Sequence, residues 1–193
     1  FFNFQNTSNL KAFKNKTDVS CAANVICHIP NLVDLIKGVD ALLSKEGIFV
    51  FEEPYLGSML NKISYDQIYD AHVFMFSVLS VQKIFTGFGF DLIDAYPQST
   101  HGGSMRYVIA RKNIKKISPK IQSLIKNEIS MKMDTIDAYT KFKKQCEISK
   151  ENFTKKIMKY KNEKKKICGY AATAKSSTVL NYCKIGNDVI DSI

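Results

Sequence analysis

Tyr69 and His72 stand three residues apart in the stretch YDQIYDAHVFMFS, residues 65–77. The pattern of that stretch predicts a helix, and residues three apart on a helix share a face. An imidazole, with an ordinary pKa of about 6.5, is the side chain best suited to take a proton near neutral pH. A tyrosine hydroxyl can donate a hydrogen bond to an oxygen that is becoming negative. A base beside such a donor is what removal of a proton next to a ketone requires, and the carbon left behind is a nucleophile. The plainer account of the same residues is a partly buried helix whose polar side chains face water, with Phe74 and Phe76 in the core.

The other two histidines have simpler settings. His28 lies just past a predicted strand end, in ANVICHIP, where it can act chemically or only cap the following turn. His101 sits in a Thr-His-Gly-Gly turn, and Arg106 follows in the next strand, where it can pair with a diphosphate or serve structure. Glu52 and Glu53 close the apolar run GIFVFEEP. The carboxyl end of such a strand is where α/β proteins bind ligands.

The elements around these residues follow from periodicity. Residues 17–29 read as a buried strand running into a polar turn. Residues 31–47 form an amphipathic helix, with Leu32, Leu35, Ile36, Val39, Leu42 and Leu43 on one face and Asn31 as its cap. Residues 47–54 form a short apolar strand of the kind found inside parallel sheets. Together these make a strand–helix–strand unit. Residues 65–89 read as helical, in two pieces broken near Ser77. Residues 89–99 and 102–112 read as an antiparallel pair. Ser118-Pro119 starts one or two long amphipathic helices that carry most of the lysines. Residues 166–186 read as a short strand, a turn of small residues and a helix ending near Gly186. A helix N-terminus of that kind can meet an anion, although the dinucleotide-binding glycine pattern is absent.

Composition narrows the class. The chain has 193 residues, 45% apolar and 24% charged, enough for one sizeable core and part of another. A net charge of +10 invites acidic partners. The lysines nonetheless read as a solvated helix face, because groove binders interleave arginines and aromatics, and here the aromatics sit on the apolar stripe. Nucleic acid is therefore not an expected partner. The five cysteines form no CxxC and have no histidine at metal-ligand spacing. They are expected to be reduced thiols in a cytoplasmic protein, with no metal site in this chain. The longest apolar run, residues 72–81, is far short of the ~20 needed to span a bilayer, so no membrane association is expected. No signal peptide is visible. Both ends look like the interior of a fold, and the chain is expected to be a piece of a longer protein.

Several stretches then line up together: ANVICHIPNL, FEEPYL, YDQIYDAHVFMFS, THGGSMR and GYAATAKSSTVLNYC. In this order they resemble the S-adenosylmethionine-dependent C-methyltransferases that act on nucleotide-linked keto sugars. The resemblance covers nearly the whole chain. It implies an α/β fold: the second half of a class I, Rossmann-like methyltransferase sheet over residues 1–115, an amphipathic helical connection over 116–165, and the start of a C-terminal α/β domain over 166–193. A parallel sheet that finishes with an antiparallel strand pair is the usual ending of that sheet. The family's zinc-binding region and glycine-rich cofactor loop match nothing here; Gly87 and Gly89 form the only GxG among nine glycines. Zinc is thus expected only outside this chain, and the chain by itself is expected to be inactive.

For the site, the resemblance implies that His72 is the base, with Tyr69 and His28 beside it, and that Asn24 lies on the cofactor side. His101, Arg106, Tyr170 and Lys175 fall on the side of a nucleotide-sugar substrate. The chain also departs from the family. Asp70-Ala71 stand where His-Glu is expected, and Asp70 is ~100° around a helix from the position it would have to replace. Ala171 and Ser176 stand where glycine is common. The implied reaction is methyl transfer to a carbon next to the ketone of a nucleotide-diphospho-keto-deoxysugar, by a monomer or dimer. A different small acceptor on the same architecture, or a basic binding module with a decayed site, are the alternatives.

Overall fold

The computed structural model describes residues 3–170 and 172–192; the turn position Ala171 lies outside them. Strand β1 (Thr17–Ala23) leads through a single 3-10 turn (Ile26–His28) into helix α1 (Leu32–Leu42) and strand β2 (Leu43–Pro54). The two strands run parallel, so the expected strand–helix–strand unit is present. Asn31 caps α1 by accepting from the Asp34 amide, and Leu35, Ile36, Val39 and Leu42 are buried.

The helix ends at Leu42, short of the expected 47. Arg111 supplies the reason. Its guanidinium donates to the carbonyl oxygens of Asp40 (2.8 Å), Leu43 (3.0 Å) and Ser44 (3.3 Å) and pairs with the Asp40 carboxylate. The orphan carbonyls of a helix end are thereby satisfied, and the chain can turn at once into β2. Strand β1 also differs from expectation. It is an edge strand, with Asp18, Val19, Cys21 and Ala23 exposed, because β2 is its only sheet neighbour among the described residues.

Strands β3 (Phe90–Gln98) and β4 (Ser104–Arg111) form the expected antiparallel pair. β4 inserts between β2 and β3, antiparallel to both, and the sheet order is β1-β2-β4-β3. The result is a parallel sheet closed by one reversed strand, the α/β class expected. Its core is aromatic: Phe51 packs against Phe49, Phe76, Phe85 and Tyr107 at ring separations of 4.9–6.1 Å. Burying each such ring contributes about 1.5–3 kcal/mol.

After helix α2 (Leu56–Lys62) comes the largest departure from the sequence reading. Residues 65–77 are not helical beyond one 3-10 turn at Tyr65–Gln67; the next helix, α3, spans Val78–Thr86. The reason is tertiary. The amides of Val73 and Phe74 donate to the Cys27 carbonyl, and the Phe76 carbonyl accepts from the Leu56 amide. Those bonds hold the segment extended along neighbouring elements, and such context overrides local propensity. Ser77 then starts α3 in a capping box with Ser80. Tyr69 and His72 therefore do not share a helix face, and the angular argument about Asp70 lapses with the helix.

Ser118 caps α4 (Pro119–Ser130) as expected. The lysine-rich helix α5 (Ile136–Asn162) is a separate element that buries Cys146. The expected strand near residue 168 is a lone bridge between Cys168 and Ser192. Helix α6 (Ala174–Cys183) stops at Lys184, which takes a left-handed conformation, and not at Gly186. Cys183, Ile185 and Val189 form a second, small core with Phe153 and Ile157 of α5. Among the described residues no helix is long and apolar enough to cross a membrane.

Candidate active site

Three segments meet at the carboxyl ends of β1 and β2: the turn after β1, the extended stretch before α3, and α6. The turn after β1 has polar amides that no strand can satisfy. Glu53, the penultimate residue of β2, satisfies two of them: its Oε1 accepts from the amides of Val25 (2.9 Å) and Ile26 (2.7 Å). Glu53 is fully buried, on the same strand face as Phe49 and Phe51. The turn so fixed carries Cys27 and His28.

His28 bonds through Nδ1 to the Ala71 carbonyl at 2.6 Å. A carbonyl only accepts, so Nδ1 holds the proton and Nε2 presents its lone pair. His72 is held the same way: Nδ1 donates to the Gln67 carbonyl at 2.9 Å, and Nε2 accepts from the Tyr69 hydroxyl at 2.7 Å. The amide of His72 also donates to the Tyr69 carbonyl, closing a tight turn. This turn, in place of a helix, brings the two side chains together. The imidazole centroids of His28 and His72 are 5.0 Å apart.

The electrostatics favour a neutral His72. Burial pushes its pKa below the ordinary value; His28 and Lys175 push the same way, while the Gln67 carbonyl and Glu53 pull it back up. Burial also raises the pKa of Tyr69, with help from Cys27 and Asp66. Burial, and then Glu53, push the Cys27 thiol well above its ordinary range. The ligand atoms of Cys27, His28 and His72 lie within 4.8 Å of one another. Cys27 is buried, and a metal held by these three groups would first have to displace the thiol proton.

The other predicted residues are placed as follows. Asn24, at the end of β1, has a left-handed backbone (φ 52°) and a buried side-chain oxygen with no partner among the described residues. Lys175, in the first turn of α6, is half-buried, and its charge reaches His72. Tyr170 is fully exposed. His101 and Arg106 gather instead around Glu52, whose side chain points to the opposite sheet face from Glu53. Arg106 donates to Glu52 Oε2 from Nε (3.1 Å) and Nη2 (2.9 Å), and Thr100 donates to Oε1 (2.8 Å). Burial raises the Glu52 pKa, but these bonds and the nearby charges of Arg106 and His101 outweigh it and leave it below its ordinary value.

The structure thus brings together Tyr69, His72, His28 and Lys175, and sets the side chains of His101 and Arg106 around Glu52, with the His101 carbonyl accepting from Gln67 Nε2 at 2.6 Å. Two contributors escaped the sequence. Gln67 acts through its backbone carbonyl, which no residue type signals. Glu128, fully buried on α4, accepts from the amides of Val78 (2.7 Å) and Leu79 (2.8 Å) at the start of α3 and from the Tyr55 hydroxyl (2.9 Å). It is the one acid on an otherwise apolar helix stripe, which is the only signal it gives.

Comparison with known proteins divides the chain in two, at the end of β3 and ahead of β4. Residues 2–95 match the model of a methyltransferase domain, and residues 99–193 that of a C-methyltransferase C-terminal domain. The chain is 27% identical over 164 residues to the C-methyltransferase NovU of Streptomyces niveus, covering 84% of this chain and 39% of that protein. It therefore spans about two-fifths of the length of that curated relative. The crystal structure of the PH0226 protein from Pyrococcus horikoshii OT3 is similar over 52% of this chain and 54% of its own, with a TM-score of 0.40 and 14% identity. That likeness is too loose to bear on function.

Proposed function

We propose that this chain is part of a C-methyltransferase, as its matches to a methyltransferase domain and a C-methyltransferase C-terminal domain suggest, and that its site serves S-adenosylmethionine-dependent methyl transfer to a carbon next to a ketone, on a nucleotide-diphospho-keto-deoxysugar. The observation that carries this reading is the Tyr69–His72 pair, with Tyr69 hydroxyl on His72 Nε2 and Nδ1 anchored on a carbonyl. The anchor fixes the tautomer whose Nε2 accepts a proton.

In this reading His72 Nε2 takes the proton next to the ketone. The Tyr69 hydroxyl turns from the imidazole to the enolate oxygen and donates to it. The carbon is then nucleophilic. His28, with its Nε2 lone pair free of the Ala71 anchor, stands close enough to orient the substrate or pass the proton on. The methyl donor, when bound, supplies an electrophilic methyl on a sulfonium centre. Asn24 fits the cofactor side, since its unpartnered buried carbonyl oxygen can accept from an ammonium or hydroxyl donor. Lys175, at the start of a helix beside His72, suits a diphosphate. Tyr170, exposed and uncommitted, and the His101–Arg106 cluster are assigned to the substrate side by their sequence positions. The reading needs no nucleic acid or membrane partner, and a monomer or dimer suffices. The described cysteines are all free, which suits a reducing cytoplasm.

The full gene product carrying this chain is expected to exchange the proton next to the sugar ketone into deuterated water. If it binds the sugar nucleotide but does not exchange, proton abstraction is not its chemistry.

A further inference from the structure

The family resemblance places a carboxylate at the position of Ala71, and this chain has none there. A carboxylate does lie at the site, on another element. Glu53 comes from β2, is fully buried, and uses only Oε1 in bonding the Val25 and Ile26 amides. Its Oε2 accepts from no nitrogen or oxygen donor among the described residues, and the Cys27 thiol is the side chain that lies against this carboxylate. An unpaired carboxylate oxygen in a dry site is costly unless something nearby profits from its charge. The fixed turn also sets His28 against Ala71 and gives Val73 and Phe74 the Cys27 carbonyl, so one side chain braces both histidine-bearing segments.

We propose that Glu53 is the positioning carboxylate of this reaction centre: it holds the turn that carries His28 and places the negative charge that steadies His72 when that imidazole gains a proton. This rests on the reading of His72 as base. The titratable groups facing His72 come from every segment around it: Cys27 and His28 from the turn after β1, Lys175 from α6, and Glu53 from β2, with the Tyr69 hydroxyl from its own segment; the Cys27 thiol, within 4.8 Å of the His72 ring and against Glu53, stands between the two. His28 and Lys175 oppose a proton on His72, and of these side chains Glu53 alone favours it.

The test does not depend on turnover. The 193-residue chain has three histidines, so its imidazole NMR signals can be assigned by substituting each in turn. Glu53→Gln keeps an oxygen for the two amides and removes the charge. The His72 titration is expected to move to lower pH in Glu53→Gln, while the His101 titration stays in place. Glu53→Ala loses the amide bonds as well and is expected also to lower the melting temperature and broaden the signals of His28. An unchanged His72 titration in a folded Glu53→Gln protein overturns the proposal. If the titration moves but proton exchange by the full gene product survives loss of His72, Glu53 is confirmed as the partner of His72, and the reading of His72 as base fails separately.

Discussion

At the residue scale, the account turns on a neutral imidazole with one proton in a known place. His72 is pushed below its ordinary value of 6.5, chiefly by burial. A base works in its neutral form, so the rate should fall on the acid side with a limb centred below pH 6.5, which a pH–rate profile of proton exchange would locate. The same shift bears on stability. A histidine that resists protonation in the folded state binds more protons when unfolded, so its contribution is complete above its unfolded value and is lost as pH falls below it. Replacing Tyr69 with Phe removes a hydrogen bond made only to the neutral imidazole, so it should move the acid limb to higher pH and lower the plateau by roughly 10–10³-fold, as loss of one oxyanion donor does. The pairing of Tyr69 with His72 was legible in the sequence for the wrong geometric reason. A turn three residues long and a helix turn look alike in spacing, and only the Cys27 carbonyl, far off in the chain, decides between them.

At the element scale, the site depends on how one helix begins and where another ends. Arg111 ends α1, and Glu128 starts α3. Glu128 adds to the Ser77–Ser80 capping box a buried carboxylate that takes two further amides and a phenol. Glu128→Ala should therefore cost about 3 kcal/mol or more, read by urea unfolding, since it strips the α3 start and leaves Tyr55 unpaired. Glu128→Gln should recover part of that. The helices at 31 and 118 and the strands at 47, 90 and 104 were legible because each has its own cap or period. The segment at 65–77 was not, because its apolar residues have helical spacing while its amides bond to other elements. The edge character of β1 was equally hidden. Its composition reads as buried, and exposure depends on which strands lie beside it.

At the scale of the whole molecule, two cores are bridged by α5. The larger holds the sheet. The smaller, around Cys183, Ile185 and Val189, carries α6 against the reaction centre, where Thr178 donates to the Ile68 carbonyl and the rings of Tyr65 and Tyr182 lie 5.1 Å apart. Lys175 reaches His72 only because that small core holds α6 in place. Ile185→Ala should cost about 2–5 kcal/mol, felt first as faster amide exchange across α6 and not in the sheet. The +10 charge was legible as number but not as arrangement. On α5 the lysines Lys155, Lys156 and Lys159 stay exposed, and Lys161 pairs with Asp191, as a solvated face does.

The central claim is that His72 takes the proton next to the substrate ketone. It is tested most directly by following that proton's exchange into deuterated water with the full gene product and its His72→Asn variant. The account predicts that the variant still binds sugar nucleotide but exchanges at least about 10²-fold more slowly, the range general base catalysis contributes. Exchange at the unaltered rate in a folded, substrate-binding variant would contradict it.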